Sequence, residues 1–323
     1  MKNVLIIGNG FDLDLGLPTR YSDFAKSEYW PNVDRVRDRR SIFSKAENKP
    51  YHALPFFLDE RAKTDNWFDL EESLLYYAAN EVVPLANDLY SAKDDIKYYE
   101  ELKIKLCDYL IEVQNNTSIN TLALAGNVLK AILSNGYFEN IFSFNYTDLN
   151  YLAQQLGIKQ TIKYTHIHGK LADRSIILGV NETKLKDEYD EFHKSTSEFY
   201  HSNNLTQALA EANEVVFYGL SFGVIDYDYF SNFFSSLIGK VLPEKEKKYI
   251  SIFTKDKESG KSIIKRLRDK EINQLQLRSN AHLTLYYSDS ANNEELKEFY
   301  KRLHNTSRES HKRILQGIAS QLQ

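Results

Sequence analysis

Apolar positions fall in short unbroken blocks near the start and through the second half of the chain, and at helical spacing between them. Val4-Leu5-Ile6-Ile7 is rich in β-branched residues and stops at Gly8, which predicts a first strand buried on both faces. Similar blocks predict strands at Asn140 to Phe144, Ile162 to Ile167, Ile176 to Leu178, Val215 to Tyr218, Tyr249 to Phe253 and Leu283 to Tyr287. Helical spacing fits between several of them, as in Leu205 to Ala212 and Tyr227 to Ile238. Strands alternating with helices in this way predict an α/β fold with a doubly wound, largely parallel sheet.

The segment 30–133 reads differently. Trp67, Leu70, Leu74 and Leu75 share one helical face behind Asp65-Asn66. Ser118 is placed to cap a helix through Leu122, Leu129, Ile132 and Leu133, which Asn135-Gly136 would stop. Earlier, Thr19 is a candidate N-cap ahead of Tyr21, Phe24 and Ala25. With no Gly-, Ser- or Pro-rich linker to set it apart, the expectation is a single domain over 1–323. It would carry a helical insertion over 30–133 and a helical C-terminal tail from Asn292.

Composition narrows the class. The 323 residues are 42% hydrophobic and 27% charged, with 22 Tyr and 18 Phe, enough for a large core and unlike a disordered chain. A formal charge of −4 gives no support to nucleic-acid binding. The single cysteine, Cys107, excludes an internal disulfide and a Cys-rich zinc site and suits a reducing compartment. No apolar stretch reaches the ~20 residues of a membrane span, and no secretory leader is evident, so a cytoplasmic location is expected.

Five segments hold residue types that carry chemistry. The first is the loop Gly8-Asn9-Gly10-Phe11-Asp12, between a strand and a predicted helix, where glycines let a phosphate approach backbone N–H groups. It departs from a strict phosphate loop, because Leu13 stands where a third glycine belongs and the Asp12 carboxylate repels phosphate. A plain tight turn is the alternative. The second, Phe142 to Asp148, ends a strand where open α/β sheets bind ligands. Asn145 could hold a ribose hydroxyl or a water there, and Asp148 could simply cap the next helix. The third, His166-Ile167-His168-Gly169-Lys170, puts two histidines on one strand face. They could ligate a metal, though no third ligand is apparent, and His168 beside Gly169 suits a general base. In the fourth, Tyr218-Gly219-Leu220-Ser221, Ser221 is a candidate ribose or phosphate contact, while Asp226 and Asp228 beyond it fit a helix's first turn. In the fifth, Trp67 and Glu71 share a helix face, which a core Trp and a first-turn acid explain.

Taken in order, these segments resemble a known family. Gly8-Asn9-Gly10-Phe11-Asp12 followed by Gly16-Leu17-Pro18-Thr19-Arg20-Tyr21-Ser22-Asp23-Phe24 resembles the start of the AbiH family of bacterial abortive-infection, phage-resistance proteins. Trp67-Phe68-Asp69-Leu70-Glu71, Phe144-Asn145-Tyr146-Thr147-Asp148, His168-Gly169 and Tyr218-Gly219-Leu220-Ser221 are consistent with it. The same order is similar to the sirtuin-like Rossmann group. That likeness implies NAD as ligand or substrate, ribose chemistry at Asn145 and a base at His168. It departs at Asp12, where that group has a serine, and in lacking the cysteines of a zinc ribbon.

The resemblance implies a phage-defence effector that binds NAD+ and hydrolyses its nicotinamide–ribose bond. Asn145, His168 and Asp148 are then the catalytic candidates, and Gly8, Asn9, Gly10, Phe11, Asp12, Gly219 and Ser221 the nucleotide-binding ones, with no resident metal. Two alternatives stay open. One is a nucleotide-sensing module without turnover. The other is a metal-dependent nuclease or nucleotide hydrolase using Asp12, Asp14, Glu71 and His168. A nucleotide is the expected partner, with a second copy of the chain or a phage-derived trigger left open.

Overall fold

The computed structural model of the chain describes residues 2–31, 53–65, 68–79, 91–134, 138–239, 241–290 and 294–305. Trp67 and the Asn135-Gly136 stop lie outside them. The chain divides into two compact units: a sheet unit of 1–17, 118–167 and 202–323, and a second unit of 18–117 and 168–201. The expected insertion over 30–133 is therefore drawn differently: its last helix belongs to the sheet unit, and 168–201 joins the other.

The sheet unit contains β1 (Lys2–Ile7), β2 (Asn140–Ser143), β3 (Thr165–His166), β4 (Ala212–Tyr218), β5 (Lys248–Thr254) and β6 (Ala281–Tyr287). All pair in parallel, in the order β3-β2-β1-β4-β5-β6. Most expected strands shift by a few residues at their ends, and two change more. β3 shrinks to two residues, and Ile176 to Leu178 form no strand. They belong to the second unit, where they are buried in irregular backbone and Ile177 N–H donates to His168 O. An apolar run signals burial, but burial alone does not make a strand.

Burial on both faces explains the continuous apolar runs. On one face Val4, Ile6, Val215, Phe217, Ile250 and Ile252 meet α8 (Leu205–Glu211), α9 (Asp228–Ser236) and α10 (Lys257–Asp269), through Leu209, Phe230, Phe234 and Leu267. On the other, Phe299 of a helix spanning 294–305 packs on Phe253 and Tyr286, with ring centroids 5.1 and 5.6 Å apart. Arg302 of the same helix donates through Nε and Nη2 to buried Glu214, at 3.1 and 2.9 Å, and through Nη2 to Ser251 Oγ at 3.1 Å. The shorter helices of this unit are α1 (Asn9–Asp14), α6 (Leu124–Ser134), α7 (Leu149–Gln155) and α11 (Gln274–Asn280).

The second unit is mainly helical: α2 (Tyr21–Phe24), α3 (Leu54–Thr64), α4 (Leu70–Ala79) and α5 (Ala92–Asn116), with 3-10 turns at Asp187–Phe192 and Lys194–Thr196. Arg20, not Thr19, is the N-cap of α2. Asp95, in the first turn of α5, is buried and accepts from Leu54 N, Tyr77 Oη and Tyr189 Oη at 2.7 to 2.8 Å. One carboxylate thereby ties three elements together.

Candidate functional site

The strand order makes the carboxyl end of β1 the place where connections diverge, to β2 on one side and to β4 on the other, and ligands bind at such switch points in open α/β sheets. Gly8 N–H donates to Tyr218 O at 2.8 Å, Gly10 N–H to Gly219 O at 2.9 Å, and Phe11 N–H to Gly8 O at 2.9 Å. The Gly8–Asp12 loop is thus stitched to the end of β4 by amides that a phosphate cradle would need. Steric constraint explains its glycines. A Cβ on Gly10 would lie 2.5 Å from Gly219 Cα, and Gly219 itself has φ +72°. Phe11 is buried, edge-on to Tyr218 at 5.4 Å, whereas Asn9 and Ser221 are exposed. α1, six residues long, has no side-chain N-cap. Gly8, Gly10 and Phe11, expected to hold a nucleotide, pack loop on loop against the end of β4.

Asp12 is engaged by side chains that follow β2. It is 1% exposed and accepts from Asn145 Nδ2 at 2.8 Å and from Thr147 Oγ1 at 2.7 Å. Burial pushes its carboxyl up to about 7, and the two donors hold that rise back. Asn145 Nδ2 also donates to Gly8 O at 3.2 Å. A carbonyl can only accept, which fixes the amide's orientation, and among the described residues no group donates to Asn145 Oδ1. The side chain is therefore held by its nitrogen and presents an acceptor at the strand ends. Asp14 accepts from Tyr218 Oη at 2.7 Å and from Ala125 N at the start of α6 at 2.8 Å. Asp148 takes the plainer of its two readings: it is the N-cap of α7, accepting from Asn150 N and Tyr151 N at 2.8 and 3.3 Å. Asp228 lies in the first turn of α9.

A second polar centre sits within the helical unit. Lys194 is 1% exposed; its Nζ lies 3.1 Å from Glu71 Oε1 and 3.1 Å from Nε2 of buried His168. Gly179 N–H donates to the same Glu71 oxygen at 3.2 Å. Burial first, and the Lys194 charge second, hold the His168 imidazole well below its ordinary value. An imidazole whose Nε2 lone pair faces an ammonium is a poor proton acceptor, which counts against the base expected there. Gly169, at φ +79°, serves the backbone: a Cβ there would stand 1.7 Å from Ser175 O. The expected metal set fares no better. Asp12 and Asp14 are engaged as described, and a lysine stands between Glu71 and His168. Among the described residues no group of three His, Cys, Asp or Glu side chains could hold a metal. His166 ends β3 in the sheet unit and His168 opens a segment of the other, so the two do not share a strand face.

Lys194 and Thr147 were not legible in the sequence. Lys194 lies in the polar stretch His193-Lys194-Ser195-Thr196, where nothing marks a buried charge. Only Glu71, an acid beside apolar neighbours on a helix, hinted at a partner.

The six-stranded parallel sheet, in the order typical of dinucleotide-binding α/β domains, and the polar cluster at its switch point define the class: a doubly wound, Rossmann-type protein. The family model described as Bacteriophage abortive infection AbiH matches residues 4–241. The chain belongs to this family of abortive-infection proteins. No curated protein is similar enough in sequence to match it. A solved structure from "Structural Basis for the Mechanism and Regulation of Sir2 Enzymes" is similar with a TM-score of 0.33 and 11% identity, over 84% of this chain and 92% of that one. A likeness of that size carries no chemical inference. Among the described residues no helix is long and apolar enough to cross a membrane.

Proposed function

We propose that this AbiH-family chain defends against phage by binding NAD+ and hydrolysing its nicotinamide–ribose bond, with Asn145 as the central residue. The observation that carries this reading is the fixed Asn145 amide: Asp12 and Gly8 O hold its nitrogen, and Oδ1 is left as an acceptor at the switch point. In the reaction the C1′–N bond breaks and its electron pair leaves with neutral nicotinamide. Water forms the new C1′–O bond and releases a proton to solvent. An acceptor that orients a ribose hydroxyl or the attacking water stabilises the developing positive charge. The step needs no metal and no strong base, which suits the weak basicity of His168. Depletion of NAD+ would then halt the infected cell.

The test is nicotinamide release from NAD+ by the purified full-length chain. Asn145→Ala should lower turnover by about 100-fold with the fold intact. Wild-type turnover in Asn145→Ala would refute the assignment, and substitution of His168 tests its role separately. A second reading, nucleotide sensing without turnover, draws on Asp12, which stands where the sirtuin-like group has a serine and is engaged by Asn145 and Thr147. Calorimetric binding of NAD+ with no nicotinamide released would favour it.

A further inference from the structure

The proposed reaction leaves one hydrogen-bonded chain of the sheet unit unused. Asp148 Oδ1 lies 3.0 Å from Tyr164 Oη, Tyr164 Oη lies 3.0 Å from His166 Nε2, and His166 Nδ1 lies 3.1 Å from the backbone oxygen of Asn145. Both ends are anchored. Asp148 caps α7, and Leu149 N–H from that first turn donates to Tyr164 Oη at 3.0 Å. At the other end Asn145 N–H donates to Ser143 Oγ at 3.2 Å, and its side chain is held as described. The rings of Tyr164 and His166 pack with centroids 4.8 Å apart.

Counting hydrogens fixes the donors. The Asn145 carbonyl can only accept, so His166 Nδ1 must carry a hydrogen. Tyr164 has one hydrogen and faces both a carboxylate and a ring nitrogen. Its oxygen already accepts from Leu149 N–H and has one lone pair left. If Nε2–H fills that lone pair, the phenol hydrogen goes to Asp148. Two carboxylates flank the chain: Asp148 through Tyr164, and Asp12 through the Asn145 side chain.

We propose that His166 is the positioning residue of Asn145: anchored to Asp148 through Tyr164, it donates from Nδ1 to the Asn145 carbonyl and fixes the strand-end turn that aims the Asn145 amide. Its effect on turnover rests on the proposed NAD+ hydrolysis; the hydrogen placement does not.

The test uses the full chain in two arms. The first is NMR of 15N-labelled histidine at pH 6, 7 and 8. His166 is expected to show a hydrogen on Nδ1 throughout. The second is nicotinamide release by His166→Phe and Tyr164→Phe, with thermal unfolding as a control. His166→Phe should lower kcat by about 10-fold or more while KM changes less than about threefold, as expected when geometry is lost but binding is kept. An Nδ1 without hydrogen at pH 6 and 7, or wild-type kcat in His166→Phe, overturns the proposal. If the wild-type chain releases no nicotinamide, the hydrolysis reading fails and the NMR arm alone decides. If His166→Phe does not fold, Tyr164→Phe, which keeps the imidazole, carries the kinetic arm on the same criteria.

Discussion

Replacing Asp12 by Asn should remove a pH dependence from the stability of this protein. Asp12 has an ordinary value of 3.8 and is pushed up to about 7 by burial. The folded state therefore keeps a proton that the unfolded state releases above pH 4. The resulting stability is fully present below 3.8 and is lost as pH rises through 7. A rise of about three units is worth at most about 4 kcal/mol, and integrating between pH 5 and pH 8.5 gives about 2.5 kcal/mol. The introduced amide mimics the protonated acid. Its oxygen can accept from Asn145 Nδ2, and its nitrogen can donate to the lone pairs of Thr147 Oγ1. The assay is urea unfolding of both proteins at half-unit steps from pH 5 to 8.5. Groups common to both cancel in the difference, so the wild type should lose about 2.5 kcal/mol relative to Asp12→Asn, most of it below pH 7.5. A difference that stays flat over that range would show that Asp12 is ionised throughout, and that its two hydrogen bonds outweigh its desolvation.

Other outcomes follow from the buried pairs and caps. Lys194→Met leaves the Glu71 carboxylate buried without its cation and should cost about 3–5 kcal/mol in unfolding experiments, with Glu71→Gln added to it recovering much of the loss. In the same variant the His168 imidazole should titrate higher, readable by NMR, because one of the two causes that lower it is gone. Arg302→Ala should likewise cost about 3–5 kcal/mol and expose helix 294–305 to limited proteolysis, since Glu214 loses the partner that offsets its burial; Glu214→Gln should cost less. Asp148→Ala removes the α7 cap and should cost about 1 kcal/mol, seen as a lower urea midpoint at unchanged slope.

The sequence by itself determined the periodic features. The apolar runs at Val4 to Ile7, Val215 to Tyr218 and Tyr249 to Phe253 became central strands, because a parallel strand buried on both faces needs continuous apolar side chains, and the run at Leu283 to Tyr287 became the edge strand β6. Asp148 as a cap was also legible, since a cap is a contact over two or three residues. Tertiary structure decided the roles of the polar side chains. Asp12 and Asn145 are 133 residues apart, and Glu71 and Lys194 are 123 apart, so neither pairing leaves a local mark in the chain. The glycines of the first loop look the same in sequence whether they serve a phosphate or a neighbouring backbone. Only the folded structure shows the approach of Gly219 to Gly10, which by itself requires glycine because a Cβ at either position would have no room. Local periodicity reports which faces are buried, whereas the partner of a buried polar group is set by parts of the chain that meet only on folding.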